Sequence, residues 1–287
     1  MSAWETQTGK SGKSRPFHQS PLHRKDILSF SNQSGLNSLV KKSICYQVNK
    51  NAMKIEIWSD VVCPFCYIGK RKMEKALAKS PHKNSFEIVW KSFQLNPDQR
   101  TNPSISMLEH LATSKGWTIE QTKEITANVV DMAKAEGLDF DFEKAVVANT
   151  RNAHRLIHFA QSFGKGDVMK ERLLLAYFSE GKNVDDFPTL IALGKEVGLE
   201  EEAVKNALES GAFEEGVDQD IYESRQLDVR GVPFFVLDKK FGISGAQPDE
   251  VFDQTLEKAW TAYQKENLSI QVMNSSKDAS CEIGGDC

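Results

Sequence analysis

The chain has 287 residues, of which 40% are hydrophobic and 26% are charged, and its formal net charge is −4. This composition is typical of a globular protein with one large or two modest domains. It argues against nucleic-acid binding, because the chain lacks a basic stripe, and no stretch of about 18 apolar residues could span a bilayer. The five cysteines are too few for a disulfide scaffold in a chain of this length.

Residues 1–52 differ in composition from the rest of the chain. They are rich in Ser, Lys, Gln and Asn, and they carry eight basic but only two acidic residues. We predict that they form a disordered basic N-terminal extension without the apolar core of a secretory signal. A transit peptide has a similar composition and stays an alternative. We favour Met53 as the natural start, and we expect a cytoplasmic protein.

The folded part is predicted to begin with a strand at 54–58 and a helix at about 64–80. Cys63-Pro64-Phe65-Cys66 lies between them, so that two thiols occupy the N-terminus of the helix. Two cysteines at this spacing can close a small disulfide, and the positive end of the helix macrodipole stabilises a thiolate at the first of them. A thiolate is the form that attacks a disulfide. The pattern therefore predicts a redox site in which Cys63 titrates below an ordinary thiol.

The same motif is also compatible with half of a zinc site or with two packed core cysteines. A structural zinc site usually needs a second pair of ligands, but Cys45 stands alone, and Cys281 and Cys287 are separated by five residues. His154 and His158 are one helical turn apart, yet no Glu completes an HExxH pattern, so we interpret them as packing or surface residues. We therefore predict no metal and no tightly bound organic cofactor.

The remaining elements are read from hydrophobic patterns and from turn residues. A second strand is predicted at 86–93, and prolines at 97 and 103 then break the chain. Helices are predicted at 104–115, 118–136, 142–163, 167–180, 186–198, 200–209 and 213–227. Glycines suited to helix C-termini fall between them at Gly137, Gly164, Gly181, Gly198 and Gly211. Two strands, at 231–237 and 241–247, and a closing amphipathic helix at 249–264 complete the pattern.

Four segments carry a resemblance to a known family, namely 58–69, 149–158, 230–235 and 243–247. Over residues 53–267 the chain resembles the DsbA family of thioredoxin-fold oxidoreductases, in particular its FrnE-like branch. The resemblance implies an α/β thioredoxin fold interrupted by a large all-helical insertion, and the predicted order of elements agrees with it independently. The implied boundaries are 53–97 for the first half of the core, 98–227 for the insertion, 228–268 for the second half and 269–287 for a flexible tail.

The resemblance also implies roles for individual residues. Cys63 is the exposed nucleophile, Cys66 is the buried resolving thiol, and Pro233 is a cis-proline beside the disulfide. In such folds the backbone next to the proline pairs with an extended substrate, and the preceding residue tunes the thiols. The candidate substrate-contact residues are Phe65, Val232 and Pro64. Because Val232 has no hydroxyl to donate to a thiolate, the redox poise is left open.

The predicted function is a thiol–disulfide oxidoreductase or isomerase that acts on protein or small-molecule disulfides. Thiols, with glutathione as a candidate, are the expected partners, and a homodimer stays open. One alternative is a glutathione-dependent isomerase of chromene carboxylates or a kappa-class glutathione transferase. These enzymes resemble the chain around 244–247 but generally carry serine where Cys63 stands. A second alternative is a peptide-binding module without turnover.

Two further features have competing interpretations. Asp60 lies three residues before Cys63, where an acidic residue either makes a helix-dipole contact or changes the proton affinity of the thiol. Cys281 and Cys287 close a polar, Gly-containing tail, and they form either a second redox pair or an incidental pair at a disordered end.

Overall fold

The computed structural model describes residues 52–267. The predicted extension up to residue 51 and the whole of the predicted tail lie outside the described residues, together with Cys45, Cys281 and Cys287. The proposed meanings of these segments therefore stay predictions.

Strands at both ends of the described chain enclose a helical middle. The strands of residues 52–267 are β1 (Met53–Ser59), β2 (Phe86–Ser92), β3 (Asn102–Ser106), β4 (Val146–Val147), β5 (Phe234–Leu237) and β6 (Phe241–Ser244). Their helices are α1 (Pro64–Lys79), α2 (Met107–Lys115), α3 (Ile119–Ala135), α4 (Arg151–Gln161), α5 (Gly166–Phe178), α6 (Phe187–Glu196), α7 (Glu201–Glu209), α8 (Glu214–Gln226) and α9 (Asp249–Glu266). The five glycines predicted at helix ends all have a positive φ, between 67° and 75°.

A mixed sheet with the order β2-β1-β5-β6 forms the core. β1 and β2 are parallel, with Ile55 opposite Ile88, and α1 provides the crossover that a parallel pair needs. β5 pairs antiparallel with β1, with Ile57 opposite Phe235, and β6 pairs antiparallel with β5. Because β1 lies inside the sheet and its apolar side chains are buried, the loop after Ser59 leaves the sheet at its centre. Helices α2 to α8 all fall between β2 and β5 in the chain. The predicted thioredoxin fold with a helical insertion is confirmed, whereas the predicted domain boundaries stay a prediction.

The predicted helix at 142–163 is wrong in its first half. That segment contains β4, which pairs with β3, and a helix begins only at Arg151. Asn149 explains the difference, because its side chain accepts a hydrogen bond from Arg151 N (2.8 Å) and donates one to Gln99 O (2.9 Å). Its own backbone N–H donates to Thr101 Oγ1 (2.9 Å). Side-chain and tertiary hydrogen bonds thus replace the helical ones at this position.

A buried ionic contact fixes α5 against α1. Glu171 accepts a hydrogen bond from Tyr67 Oη (2.6 Å) and from Arg71 Nη1 (3.0 Å), and its carboxylate lies 3.1 Å from Lys70 Nζ. Although burial opposes its charge, the hydrogen bonds from Arg71 and Tyr67 and the charge of Lys70 lower the pKa of Glu171 to about 2. The insertion is therefore held in register with the helix that begins at the two cysteines.

Candidate active site

The two cysteines lie at the first turn of α1. Cys63 is the N-cap residue in extended conformation (φ −91°, ψ 112°), and Pro64 follows as the first helical residue. Proline suits this position because the first helical N–H has no partner within the helix. The N–H of Cys66 donates to the Cys63 carbonyl (3.0 Å), which brings the second cysteine under the first. Both are unbridged thiols in this structure.

The loop that contains Pro233 covers the first thiol. Cys63 Sγ donates a hydrogen bond to the Val232 carbonyl (3.4 Å), and the Val232–Pro233 bond is cis, as the resemblance implied. Cys63 is only 4% exposed and Cys66 is 1% exposed, so the expectation of an exposed Cys63 is wrong. Phe65 is 38% exposed at the rim. The structure thus brings the thiols and the proline loop together and leaves an aromatic ring at the surface beside them.

The two thiols share a hydrogen bond and ionise as one unit. Although burial opposes charge on Cys66, its hydrogen bond with Cys63 and the charge of Lys170 lower its pKa. The hydrogen bond with Cys66, followed by burial, raises the pKa of Cys63 well above the ordinary thiol range. This direction is opposite to the predicted lowering of the pKa of Cys63, because the hydrogen bond with Cys66 and burial both oppose a charge on this sulfur. The pair favours a single thiolate.

Asp60 is a buried carboxylate that ties together three parts of the chain. It accepts hydrogen bonds from Val61 N (2.7 Å) and Leu95 N (2.8 Å), and it lies 3.3 Å from His154 Nε2 on α4. Burial raises its pKa, but the hydrogen bond and charge of His154 outweigh that effect and lower it. The side chain does not cap α1, and its charge adds to the raised pKa of Cys63. Asp60 thus changes the proton affinity of Cys63, as the second interpretation stated, and it does so by opposing ionisation of this thiol.

Lys170 on α5 is a site residue that we did not predict from the sequence. It is 1% exposed, its ammonium donates to the Ser59 carbonyl (3.4 Å), and it lies 5.4 Å from the centre of the Trp90 ring. Burial lowers the pKa of Lys170 to about 8 against the opposing charges of Cys66 and Asp60. A sequence signal did exist, because Lys170 is spaced i, i+4, i+7 with Leu174 and Tyr177 and so falls on the apolar face of the helix.

Both histidines that stand at metal-ligand spacing make contacts with protein groups. His158 Nε2 lies 2.9 Å from Asp220 Oδ2 and 3.1 Å from Ser92 Oγ, and His154 contacts Asp60. Within the part of the chain that the structure describes, no group of three or more His, Cys, Asp or Glu is placed to hold a metal. Among the same residues, no helix is long and apolar enough to cross a membrane.

A cleft of about 350 Å³ adjoins the loop that leads to the thiols. Asp60 and Val62 form part of its wall on the core side, and Met107, His110 and Leu111 of α2 face them from the insertion. A volume of this size is at the lower end of the range of small-molecule pockets. The cleft therefore fits a small molecule or a few side chains beside the loop before Cys63, although neither cysteine lines it.

Gly69 allows α1 to approach the proline loop closely. A Cβ at this position would lie 2.9 Å from Pro233 Cγ and 3.1 Å from Phe235 Cζ. We expect Gly69→Ala to push the loop away from Cys63, so that iodoacetamide alkylates this thiol faster. Overpacking of ~1–3 kcal/mol, offset by a helix-propensity gain of ~1 kcal/mol, is expected to lower the free energy of unfolding slightly.

Gly231→Ala is the matched control, because a Cβ at Gly231 would meet no atom within 4 Å. Alkylation rates and urea unfolding of the two variants measure the effect. Equal alkylation rates for Gly69→Ala and the wild type would show that the loop does not depend on this contact.

The chain is similar to known proteins in both sequence and structure. Residues 54–257 match the family model of the DSBA-like thioredoxin domain. A probable DsbA oxidoreductase from Streptomyces coelicolor is 35% identical, with a TM-score of 0.69 over 81% of this chain and 100% of that chain. The uncharacterized protein YwbO of Bacillus subtilis is 28% identical over 204 residues, which are 70% of this chain and 94% of that protein. The cytosolic disulfide reductase DsbM from Pseudomonas aeruginosa, solved with GSH, covers 75% of this chain and 100% of its own, and shares the fold at 17% identity and a TM-score of 0.52.

Proposed function

Since the chain belongs to the DSBA-like thioredoxin domain family, we propose that it is a thiol–disulfide oxidoreductase whose redox pair is Cys63 and Cys66. One observation carries the proposal. Two unbridged thiols, three residues apart at a helix N-terminus, face the loop of Pro233 and share one favoured thiolate. We keep the FrnE-like branch and a location in the cytoplasm as parts of the proposal.

The proposed reaction is a pair of thiol–disulfide exchanges. The single proton of Cys63 first turns from the Val232 carbonyl to the Cys66 sulfur and passes to it, which places the negative charge on the outer sulfur. The Cys63 thiolate attacks a substrate disulfide, forms a mixed disulfide and releases one substrate thiolate. Cys66 then gives its proton to the substrate thiolate released in the first exchange and attacks the Cys63 sulfur, which releases the second substrate thiolate and leaves a Cys63–Cys66 disulfide. The substrate gains two electrons and the protein pair loses them, and oxidation of a substrate follows the reverse order.

Substrate contact is assigned to the rim of the site. The exposed Phe65 ring offers an apolar surface, and Pro64 and Val232 border the two thiols. Because Cys63 is covered by the Val232 carbonyl, an incoming chain has to displace that hydrogen bond, which suits an extended segment that pairs with the loop. We propose protein disulfides and small disulfides as substrates, with glutathione as a candidate partner, and a homodimer stays open.

The test is dithiothreitol-driven reduction of insulin disulfides, followed by mass spectrometry of the enzyme after oxidation. We expect faster turnover than with dithiothreitol alone and a Cys63–Cys66 disulfide in the oxidised protein. Absence of both would refute the oxidoreductase proposal.

The cleft at Asp60 and Val62 favours a second candidate, a glutathione-dependent isomerase or transferase acting on a small molecule. In such an enzyme the reacting thiol belongs to glutathione, and Cys66 is dispensable. A Cys66→Ser variant that isomerises a chromene carboxylate with glutathione, but does not reduce insulin, would support this candidate over the first.

We also propose that Cys281 or Cys287 exchanges with the central pair. α9 begins near Lys72 and ends near Lys240, at the end of the sheet opposite to the thiols. A chain of 14 residues from Asn267 to Cys281 spans at most roughly 46–50 Å. The end of α9 lies about 40 Å from Cys63, because the ~27 Å length of α9 begins about 13 Å along α1 from that residue. The tail therefore reaches the thiols when it is nearly extended, and its local thiol concentration is lower than that of a tether whose mean length matches the distance.

We expect Cys66→Ser protein under mild oxidation to contain a disulfide between Cys63 and Cys281 or Cys287, detected by mass spectrometry. A chain that ends before Ser280 is the control, and it should lose this linkage and change its reductase rate. If the only linkages are to external thiols and the shortened chain keeps its rate, the tail has no redox role.

A further inference from the structure

Lys170 carries a buried positive charge that has no carboxylate in direct contact. Its ammonium is hydrogen-bonded to one backbone carbonyl, of Ser59 (3.4 Å). The neighbouring Lys70 differs, because its ammonium contacts Glu74, Asp167 and Glu171, whereas among the described residues no carboxylate forms such an ion pair with Lys170. A buried charge is costly unless an opposite charge or several hydrogen bonds compensate it. The location of that counter-charge is therefore informative.

The charged groups that surround Lys170 point to the thiol pair. The charges that change the pKa of Lys170 belong to Cys66, Asp60, Cys63 and Lys70. The charge of Lys170 in turn lowers the pKa of His154. Lys70 is itself positive, and burial lowers the pKa of His154, so neither supplies negative charge. The Asp60 carboxylate already accepts hydrogen bonds from two backbone N–H groups and contacts His154. The remaining negative charge is that of the thiol pair, which exists only when the pair is reduced. Cys66 and Lys170 are both buried, and each precedes a residue of the contact between Tyr67 on α1 and Glu171 on α5.

We propose that Lys170 is the buried counter-charge of the reduced thiol pair and a positioning residue that favours the dithiol over the disulfide. This inference rests on the proposed redox function of Cys63 and Cys66. Reduction of the disulfide adds two electrons and one proton and yields one thiol and one thiolate, and the thiolate compensates Lys170. Oxidation removes that thiolate and leaves the ammonium without its strongest counter-charge, so it releases its proton more easily.

The fold holds Lys170 in place for this role. The next residue, Glu171, is fixed by Tyr67 and Arg71 on α1, which also carries Cys66. The Trp90 ring lies 5.4 Å from the ammonium and provides a cation–π contact on its other side. Because α1 and α5 are joined at this point, the distance between ammonium and sulfur does not depend on a flexible loop.

The test compares Lys170→Met with the wild type in buffers of reduced and oxidised glutathione. Lys170→Met keeps the length and apolar stem of the side chain but removes the charge. We expect the equilibrium to shift toward the protein disulfide by about tenfold or more, equivalent to a reduction potential lower by ~30 mV. Absorbance at 240 nm against pH should show a higher pKa for the first ionisation of the reduced pair.

Lys165→Met is the matched control. Lys165 immediately precedes the same helix, and its ammonium likewise donates to backbone carbonyls, of Val197 (2.8 Å) and Gly198 (2.9 Å). We expect this variant to keep the wild-type equilibrium and thiolate titration. If a folded Lys170→Met protein behaves in the same way, Lys170 is not the counter-charge.

A measurement on the wild type covers the case in which Lys170→Met does not fold. The pH dependence of the glutathione equilibrium gives the number of protons taken up on reduction. This number should rise from about one to about two in the pH range in which Lys170 is neutral beside the disulfide but charged beside the thiolate. If the number of protons taken up on reduction falls to about one and stays at one up to pH ~10, the proposal is wrong. If no Cys63–Cys66 disulfide forms, the proposed function fails, and the thiolate titration of the reduced protein still decides the role of Lys170.

Discussion

Replacing Cys63 by Ser is expected to abolish disulfide turnover. The hydroxyl is nearly the size of the thiol it replaces, but it does not form a mixed disulfide. We expect insulin reduction to fall to the rate with dithiothreitol alone, because loss of the nucleophile costs about 10⁶-fold in another covalent enzyme. The oxidised protein should also lack the linkage to Cys66 in mass spectra.

Two further variants make the result specific. Cys66→Ser should accumulate a mixed disulfide at Cys63 with the substrate, because the resolving thiol is missing, whereas Cys45→Ser, outside the motif, should turn over at the wild-type rate. A Cys63→Ser protein that folds and retains every activity of the wild type would instead identify a peptide-binding module that has no need for its thiols.

The fold was largely predictable because the strands and helices of its core follow local sequence patterns. The strand at Met53–Ser59 alternates buried and less buried positions, and the following helix begins at a proline and ends beside a serine. The short strand Val146–Val147 was not predictable in the same way. The Asn149 side chain donates to the carbonyls of Pro97 and Gln99, and its backbone N–H donates to Thr101 Oγ1. Such long-range contacts leave no periodic signal in their own segment.

The two cysteines and the proline of the site were predictable from the sequence, but the pKa values of the thiols were not. The spacing of Cys63 and Cys66 predicted their common location, and the resemblance to the DsbA family implied that the loop of Pro233 lies beside them. Which thiol holds the charge depends on Lys170, more than 100 residues away in the chain, and on the depth of burial. A rule based on the helix dipole alone places the charge on Cys63. It omits the buried ammonium, whose charge acts in a medium of lower dielectric than that around a solvent-exposed helix end.

Replacing Asp60 by Ala is expected to cause a large loss of stability. The carboxylate accepts from Val61 N and Leu95 N and contacts His154, all in a region closed to solvent. Alanine leaves these groups buried without an acceptor, and each buried donor that loses its partner costs ~1–3 kcal/mol. Urea unfolding at neutral pH measures the loss. Asp98→Ala is the control, because Asp98 is exposed near the same loop, and its expected effect is within ~0.5 kcal/mol.

The pH dependence of this loss follows from the lowered pKa of Asp60. The folded carboxyl binds its proton less tightly than the unfolded one, so its contribution is fully present above pH ~4, the range of an unperturbed aspartate. As pH falls through the lower folded pKa, the contribution disappears, and the difference between wild type and Asp60→Ala should shrink. Since the charge of Asp60 also raises the pKa of Cys63, Asp60→Asn should ease ionisation of the thiol pair. A loss of stability below ~1 kcal/mol for Asp60→Ala, independent of pH, would mean that water or another group replaces the carboxylate, and that the loop before Cys63 is held by other contacts.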